Sequence, residues 1–471
     1  MERKNAWKEY TEDEAAAVQE FGTGYIDWLS NSKTEREATA NAIAKAREAG
    51  YISLQEARQR GGQLKPGDRV YADNYGKSII LVQMGSRPLQ EGVNILGAHI
   101  DSPRLDIKQN PLYEADDLAL LDTHYYGGIK KYQWVTLPLA VHGVVAKTDG
   151  TVVPVTVGED PADPAFVVTD LLPHLGADQM AKNAAKVVDG EDLDVLAGGR
   201  PLKIAETDNP TDQQKEQKKN PVKAQLLSIL QGKYGISEED FLSAELEVVP
   251  AGPARDCGFD RSMVLGYGQD DSACAYPSLI AQLDAGDLER TGVCVLVDKE
   301  EIGSVGATGM TSLFFENVMA EIMDLAGQGG DLALRRMLAR SRMLSSDVSA
   351  GFDPTYASAY EKKNAAFCGR GLVFNKFTGS RGKSGSNDAN AEYIAKLRGI
   401  MDGAGVFYQF AELGKVDQGG GGTIAYILAK YGMNVIDSGV SVLSMHAPWE
   451  VTSKADVYEA YKGYAAFLKN A

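Results

Sequence analysis

The chain has 471 residues and a formal net charge of −17, with 44% hydrophobic and 8% aromatic residues. This length points to two or three domains, and the apolar content excludes wholesale disorder. The acidic balance argues against nucleic acid or an anionic membrane as the main partner, and no apolar run approaches the ~18–20 residues of a membrane span.

Residues 11–49 read as two helices, since Ala15, Val18, Phe21, Tyr25 and Trp28 recur at helical spacing. Strands follow at 78–84 and 93–100, the second nearly continuous in apolar residues, as in a strand covered on both faces. From about 110 to 245 the pattern turns to β-type alternation and loops, including the charge run 207–219, which reads as a solvated loop. This predicts a catalytic domain in two parts, 1–106 and 247–471, interrupted by a β-rich domain at 107–246. Beyond 246 the spacing predicts helices at 272–285, 310–326, 331–341, 388–399, 423–431 and 454–469. Strands are predicted at 293–297, 371–376, 405–412 and 433–437. Strands separated by helices indicate an α/β domain, a mostly parallel sheet with helices on both faces. Four cysteines without CxxC spacing and a start (MERKNAWKEYTEDE) without a signal-peptide core predict reduced thiols in a cytoplasmic protein.

The stretch VCVLVDKEEIG (293–303) delivers two adjacent carboxylates, Glu300 and Glu301, from a buried strand into a glycine-containing loop. Alone, such a pair reads as an exposed acidic loop. Other strand ends and adjoining loops supply His99, Asp101, Asp271, Asp347 and His446, and ligands in open α/β sheets gather at the carboxyl ends of strands. Each has a plainer reading: His99 and His446 as packed histidines, Asp271 as a helix N-cap, Asp347 as a turn residue. Together, two histidines and three carboxylates suit a pair of divalent ions such as zinc, one carboxylate bridging. Such ions, ~3.5–4 Å apart, can share a hydroxide and polarise a carbonyl, with a further carboxylate moving the proton.

The segments GAHIDSPRLDIK (97–108), GYGQDDSACAYPSL (266–279), DKEEIGSVGATG (298–309), SSDVSAGFDP (345–354) and SMHAPWE (444–450) closely resemble the aspartyl aminopeptidase family in order and spacing. The likeness covers essentially the whole chain. It implies a dizinc aminopeptidase acting on peptides, with a zinc-peptidase-like three-layer α/β/α catalytic domain. The inserted β-rich domain would serve assembly into a homo-oligomer, a dodecamer in that family. Carried over by position, the resemblance makes His99 and Asp347 ligands of one ion, Glu301 and His446 ligands of the other, and Asp271 the bridge. Glu300 becomes the general base and Asp101 the orienter of His99. Zinc is the expected metal, with cobalt or manganese as alternatives. A histidine from a neighbouring subunit is also implied, matched here by His174, although Asp178 stands where some members have a second histidine.

A preference for aspartyl or glutamyl amino-termini requires a cation in the side-chain pocket. Arg381 and Lys383, in TGSRGKS (378–384), are the candidates, and the family's basic pocket residue falls near here. Asp417, the glycine run 419–422 and Thr423 are expected to line the cleft, opening a helix. Against this reading stand an aminopeptidase of neutral (leucyl or methionyl) preference, another dizinc hydrolase such as a carboxypeptidase or deacylase, and a non-enzymatic scaffold. The β-rich insertion argues against the second, and the complete ligand set argues against the last.

Overall fold

The computed structural model describes residues 3–204, 206 and 208–471. Its contacts divide the chain into two compact units. The first runs to Ser102 and resumes over Ala254–Met445 and Trp449–Ala471; the second comprises Pro103–Pro253 with His446–Pro448. The expected breaks at 106/107 and 246/247 would cut strands Arg104–Ala115 and Ala244–Pro250. These two pair antiparallel with each other, Asp106 opposite Glu247, so both belong to the second unit.

The first unit is organised on a nine-stranded sheet. Its strands are β1 (Ile52–Ser53), β2 (Arg69–Asn74), β3 (Ser78–Gln83), β4 (Asn94–His99), β5 (Gly292–Val297), β6 (Arg342–Ser346), β7 (Leu372–Asn375), β8 (Tyr408–Ala411) and β9 (Asn434–Gly439). Their spatial order is β1-β2-β3-β5-β4-β6-β9-β7-β8. The centre, β5-β4-β6-β9, is parallel, whereas β3 runs antiparallel to both β2 and β5, and β7 runs antiparallel to β9. The sheet is therefore more mixed than the strand–helix alternation suggests, because β2 and β3 form a hairpin with no crossover helix.

Alternate residues of the central strands feed two separate cores. Ile79, Leu81, Leu96, Leu296 and Leu344 enter one, with helices Gln269–Leu283 and Lys454–Asn470 packed over it. Ile80, Val82, Ile95, Val293 and Val295 enter the other, under helices Phe314–Leu325 and Asp331–Arg340. This is the three-layer arrangement that near-continuous apolar strands require. The helices Glu12–Asn31 and Glu35–Glu48 both start at capping boxes, Thr11 with Glu14 and Thr34 with Glu37. A five-stranded sheet that the sequence does not announce joins Arg255–Cys257, Met263–Gly266, Glu450–Ser453, Ser441–Leu443 and Ser349–Ala350. Its strands are too short for their alternation to be read.

The second unit holds a seven-stranded antiparallel sheet and the helix Pro221–Tyr234. Within the charge run, Asp212–Lys219 is an exposed helix and not a loop; Thr207 lies outside the described residues. Thr211 and Gln214 form a capping box, and Gln, Lys and Glu are good helix formers, so charge alone misleads there. All four cysteines are free thiols. Among the described residues no helix is long and apolar enough to cross a membrane.

Leu344, fully buried on β6, and Leu332, 61% exposed on a surface helix, give a direct check of the layering. Leu344→Ala should cost about 2–5 kcal/mol through the cavity it leaves. Leu332→Ala should stay within about 0.5 kcal/mol. Urea unfolding midpoints separate the two, and equal shifts would contradict this core.

Candidate active site

β5, β4 and β6 are adjacent and parallel, with Val297 opposite His99 and Gly97 opposite Ser345. Their carboxyl ends therefore bring His99, the Glu300–Glu301 turn and Asp347 to one edge of the sheet. Asp270 and Asp271 reach the same place from the front of helix Gln269–Leu283, where neither has helical backbone angles.

His99 is the hub. Its Nδ1 lies 3.0 Å from the backbone carbonyl of Asp101. A carbonyl can only accept, so Nδ1 carries a proton, and Nε2 is the ring nitrogen turned towards the acids. Nε2 faces Asp270 Oδ1 at 3.2 Å, Asp347 Oδ1 at 3.9 Å and Glu300 Oε2 at 4.0 Å. Potential ligand atoms of His99, Asp270, Asp271 and Asp347 all lie within 4.8 Å of one another, as do those of His99, Glu300 and Glu301.

Asp101 does more than face the imidazole. Its two carboxylate oxygens accept the backbone N–H groups of Glu300 and Glu301, each at 3.1 Å. Lys299 takes a left-handed conformation (φ 73°) to turn the chain, and Gly303 (φ 95°) ends the turn. Asp101 thus ties the glutamate turn to the end of β4. Beneath it, buried Asp298 accepts a 2.5 Å hydrogen bond from Thr308.

The adjacent aspartates have different partners. Asp270 turns its carboxylate to His99 Nε2, and its ligand atoms also lie within 4.8 Å of those of Glu301. Asp271 is fully buried and accepts the backbone N–H of His99 at 3.3 Å. The sequence reading singled out Asp271 and passed over Asp270; the repeated residue gave no means of choosing. His446 falls in the second unit, where its Nδ1 donates to the Gly128 carbonyl at 2.8 Å, which leaves Nε2 as the other ring nitrogen.

Burial is the dominant electrostatic cost. It drives Asp271 well above the ordinary carboxylate range, opposed by His99 and reinforced by Asp270. Asp347 is raised in the same way, with Glu300 and Asp271 adding repulsion. For His99 burial disfavours the charged ring, yet hydrogen bonds to Asp101 and Asp270 outweigh it and hold the ring well above its usual value. So many acids around one imidazole are costly in a dry site unless a cation joins them. Imidazole nitrogen and carboxylate oxygen are a donor set that zinc accepts. The residues fit a divalent metal.

The pocket candidates are less uniform. Lys383 is paired with Asp388 at 3.2 Å and sits over the Phe377 ring at 4.0 Å. Arg381 is exposed and has no ion-pair partner among the described residues. Asp417 is exposed in a tight turn (φ 68°), ahead of the glycine run. Gly421 N–H donates to the Thr378 carbonyl at 3.0 Å, which seats that run on the Arg381 segment. The expected helix at 423–431 shrinks to Ala425–Ala429, too short to act as an anion-binding terminus. His174 lies exposed in the second unit among Leu171, Leu172 and Leu175.

The sequence pattern of the family described as Aminopeptidase I zinc metalloprotease (M18) matches residues 28–468. A probable M18 family aminopeptidase 1 of Clostridium acetobutylicum is 59% identical over 469 residues, 100% of this chain and 98% of the relative. A crystal structure of aminopeptidase I from that organism superposes with a TM-score of 0.91 at 55% identity, covering 100% of both chains. The M18 aminopeptidase structure from Thermotoga maritima gives 0.92 at 40% identity, again over both whole chains. A distant fold match, with a TM-score of 0.73 at 19% identity over 96% of each chain, is the mApe1 dodecamer of S. cerevisiae. With its pattern matched over nearly the whole length and a relative this similar end to end, the chain belongs to the M18 family of zinc metalloaminopeptidases.

Proposed function

We propose that this enzyme removes amino-terminal residues from peptides using two divalent ions, with zinc as the native metal. His99 and Asp347 would hold one ion and Glu301 and His446 the other. The carboxylate between them would be Asp270 and not Asp271. What carries this reading is His99 Nε2, which faces Asp270 and Asp347, while one oxygen of Asp271 accepts the His99 backbone N–H. Ions bound there supply Lewis acidity towards the scissile carbonyl and acidify a water.

The remaining work falls to the protein. Glu300 is the general base in this reading: it takes a proton from the attacking water and returns it to the leaving amine. Glu300 and Glu301 are consecutive in a 3₁₀ turn, so their side chains leave the backbone about 120° apart. One can face the metals while the other faces the water. Asp101 is a positioning residue, fixing the ring of His99 and the backbone of both glutamates with one short segment.

A preference for aspartyl or glutamyl amino-termini would rest on Arg381. Its charge is unclaimed by any ion pair among the described residues, whereas that of Lys383 is taken by Asp388. Self-association, a dodecamer in the more specific form, would be carried by the second unit. Leu171, Leu172, Leu175 and Met180 are all at least half exposed in one short segment around His174. Apolar exposure of that density marks a protein contact, which would carry His174 towards a neighbouring subunit.

Glu300→Gln should lower kcat by about 10²–10⁴-fold with zinc content unchanged. Loss of zinc instead would mean that the roles of the two glutamates are reversed. Arg381→Ala should cut kcat/KM for aspartyl substrates at least about 10-fold relative to leucyl ones, the value of a lost charge-assisted contact. A wild-type enzyme that already prefers leucyl or methionyl substrates would remove the acidic specificity and leave the metal chemistry standing.

A further inference from the structure

Parallel pairing sets Gly97 of β4 opposite Ser345 of β6, and Ser345 opposite Asp437 of β9. His99 and Asp347 each stand two residues further along their strand segments, and residues two apart share a sheet face. Asp437 therefore lies one pleat below the His99–Asp347 row. It is 1% exposed, a carboxylate inside the almost fully buried NVIDSG strand.

One oxygen of Asp437 accepts a 2.5 Å hydrogen bond from the Thr423 hydroxyl, and that hydroxyl accepts the Ala425 N–H at 3.3 Å. The other carboxylate oxygen is buried with no hydrogen-bond partner among the described residues. Thr423 directly follows the glycine run 419–422, so the bond pins the end of that run to the sheet. At its other end the run is docked too. Gly420 has φ 97°, and a Cβ there would meet Ser380 Cα at 2.7 Å, while Gly421 donates to Thr378. The backbone of Asp437 also sits beside the strand that leads into the Arg381 segment, since Asn375, the last residue of β7, is its register partner. Burial pushes Asp437 up to about 7, with the Thr423 hydrogen bond opposing it.

We infer that the Asp437–Thr423 clamp is a positioning device for substrate recognition: it fixes the glycine run, and through it the Arg381 segment, to the floor of the metal site. A flexible glycine turn would need no buried carboxylate at its exit. The clamp acts by holding a segment in place, so its loss should be felt in binding more than in chemistry. The inference rests on the reading that the glycine run and the Arg381 segment line the cleft.

The test compares Thr423→Val, which keeps shape and removes the donor, with Thr423→Ser, which keeps the hydroxyl. The probes are aspartyl and leucyl p-nitroanilide with the zinc-loaded enzyme. For whichever probe is cleaved, T423V should raise KM at least about five-fold and change kcat less than about two-fold, in line with misplacement of a binding segment. Bound zinc should be unchanged, and T423S should restore KM. If T423V does not fold, Thr423→Cys, a weak donor of similar size, should give an intermediate rise. Unchanged KM in T423V, or a fall in kcat accompanied by zinc loss, would overturn the clamp. Gly420→Ala separates the two levels of the argument. A raised KM in G420A beside a normal T423V refutes the clamp alone, whereas no change in either refutes the cleft assignment beneath it.

Discussion

One imidazole and several carboxylates share a small, nearly dry volume at the ends of three parallel strands. Their mutual repulsion is what the rest of the catalytic unit has to withstand. Asp271 and Asp347 are held well above the normal carboxylate range, and the hydrogen bonds that raise His99 come from acids. Left alone, such a cluster would protonate or draw in water. Divalent ions offset the repulsion directly, which couples metal binding to the integrity of the site.

The scaffold makes this tolerable by rigidity. β5, β4 and β6 are buried on both faces, so their ends cannot drift apart without opening two cores. Asp101 stitches β4 to the glutamate turn through two backbone N–H groups, and Asp271 stitches the helix start to His99 in the same way. Two buried carboxylates thus accept backbone donors. That division of labour leaves Asp270 turned towards the imidazole. Behind the site, Asp298 with Thr308 and Asp437 with Thr423 repeat the pattern, a buried acid answered by a threonine hydroxyl.

Much of this was legible in the sequence. Long apolar runs such as VNILGAHI and VCVLV identify strands covered on both faces, and strand ends then nominate His99, Glu300, Glu301 and Asp347. The resemblance to aspartyl aminopeptidases supplied roles that spacing alone left open. The misses have physical reasons. Two consecutive aspartates are indistinguishable until the backbone at the helix start decides which one faces the imidazole. The charge run became a helix because capping and propensity act locally, whatever its solvation. The five short strands of the second sheet of the catalytic unit are paired across distances that no local pattern encodes. Asp437 passed as an ordinary strand residue because its meaning lies in its partner, Thr423, on a different segment.

The central claim is that Asp270 joins the two ions while Asp271 braces the strand end. Zinc per subunit, measured by mass spectrometry after exhaustive dialysis, tests it without reference to turnover. About two ions are expected in the wild type. Asp270→Asn should lose at least one, and Asp271→Asn, which keeps an oxygen for the His99 N–H, should retain both. Retention in Asp270→Asn together with loss in Asp271→Asn would contradict the assignment.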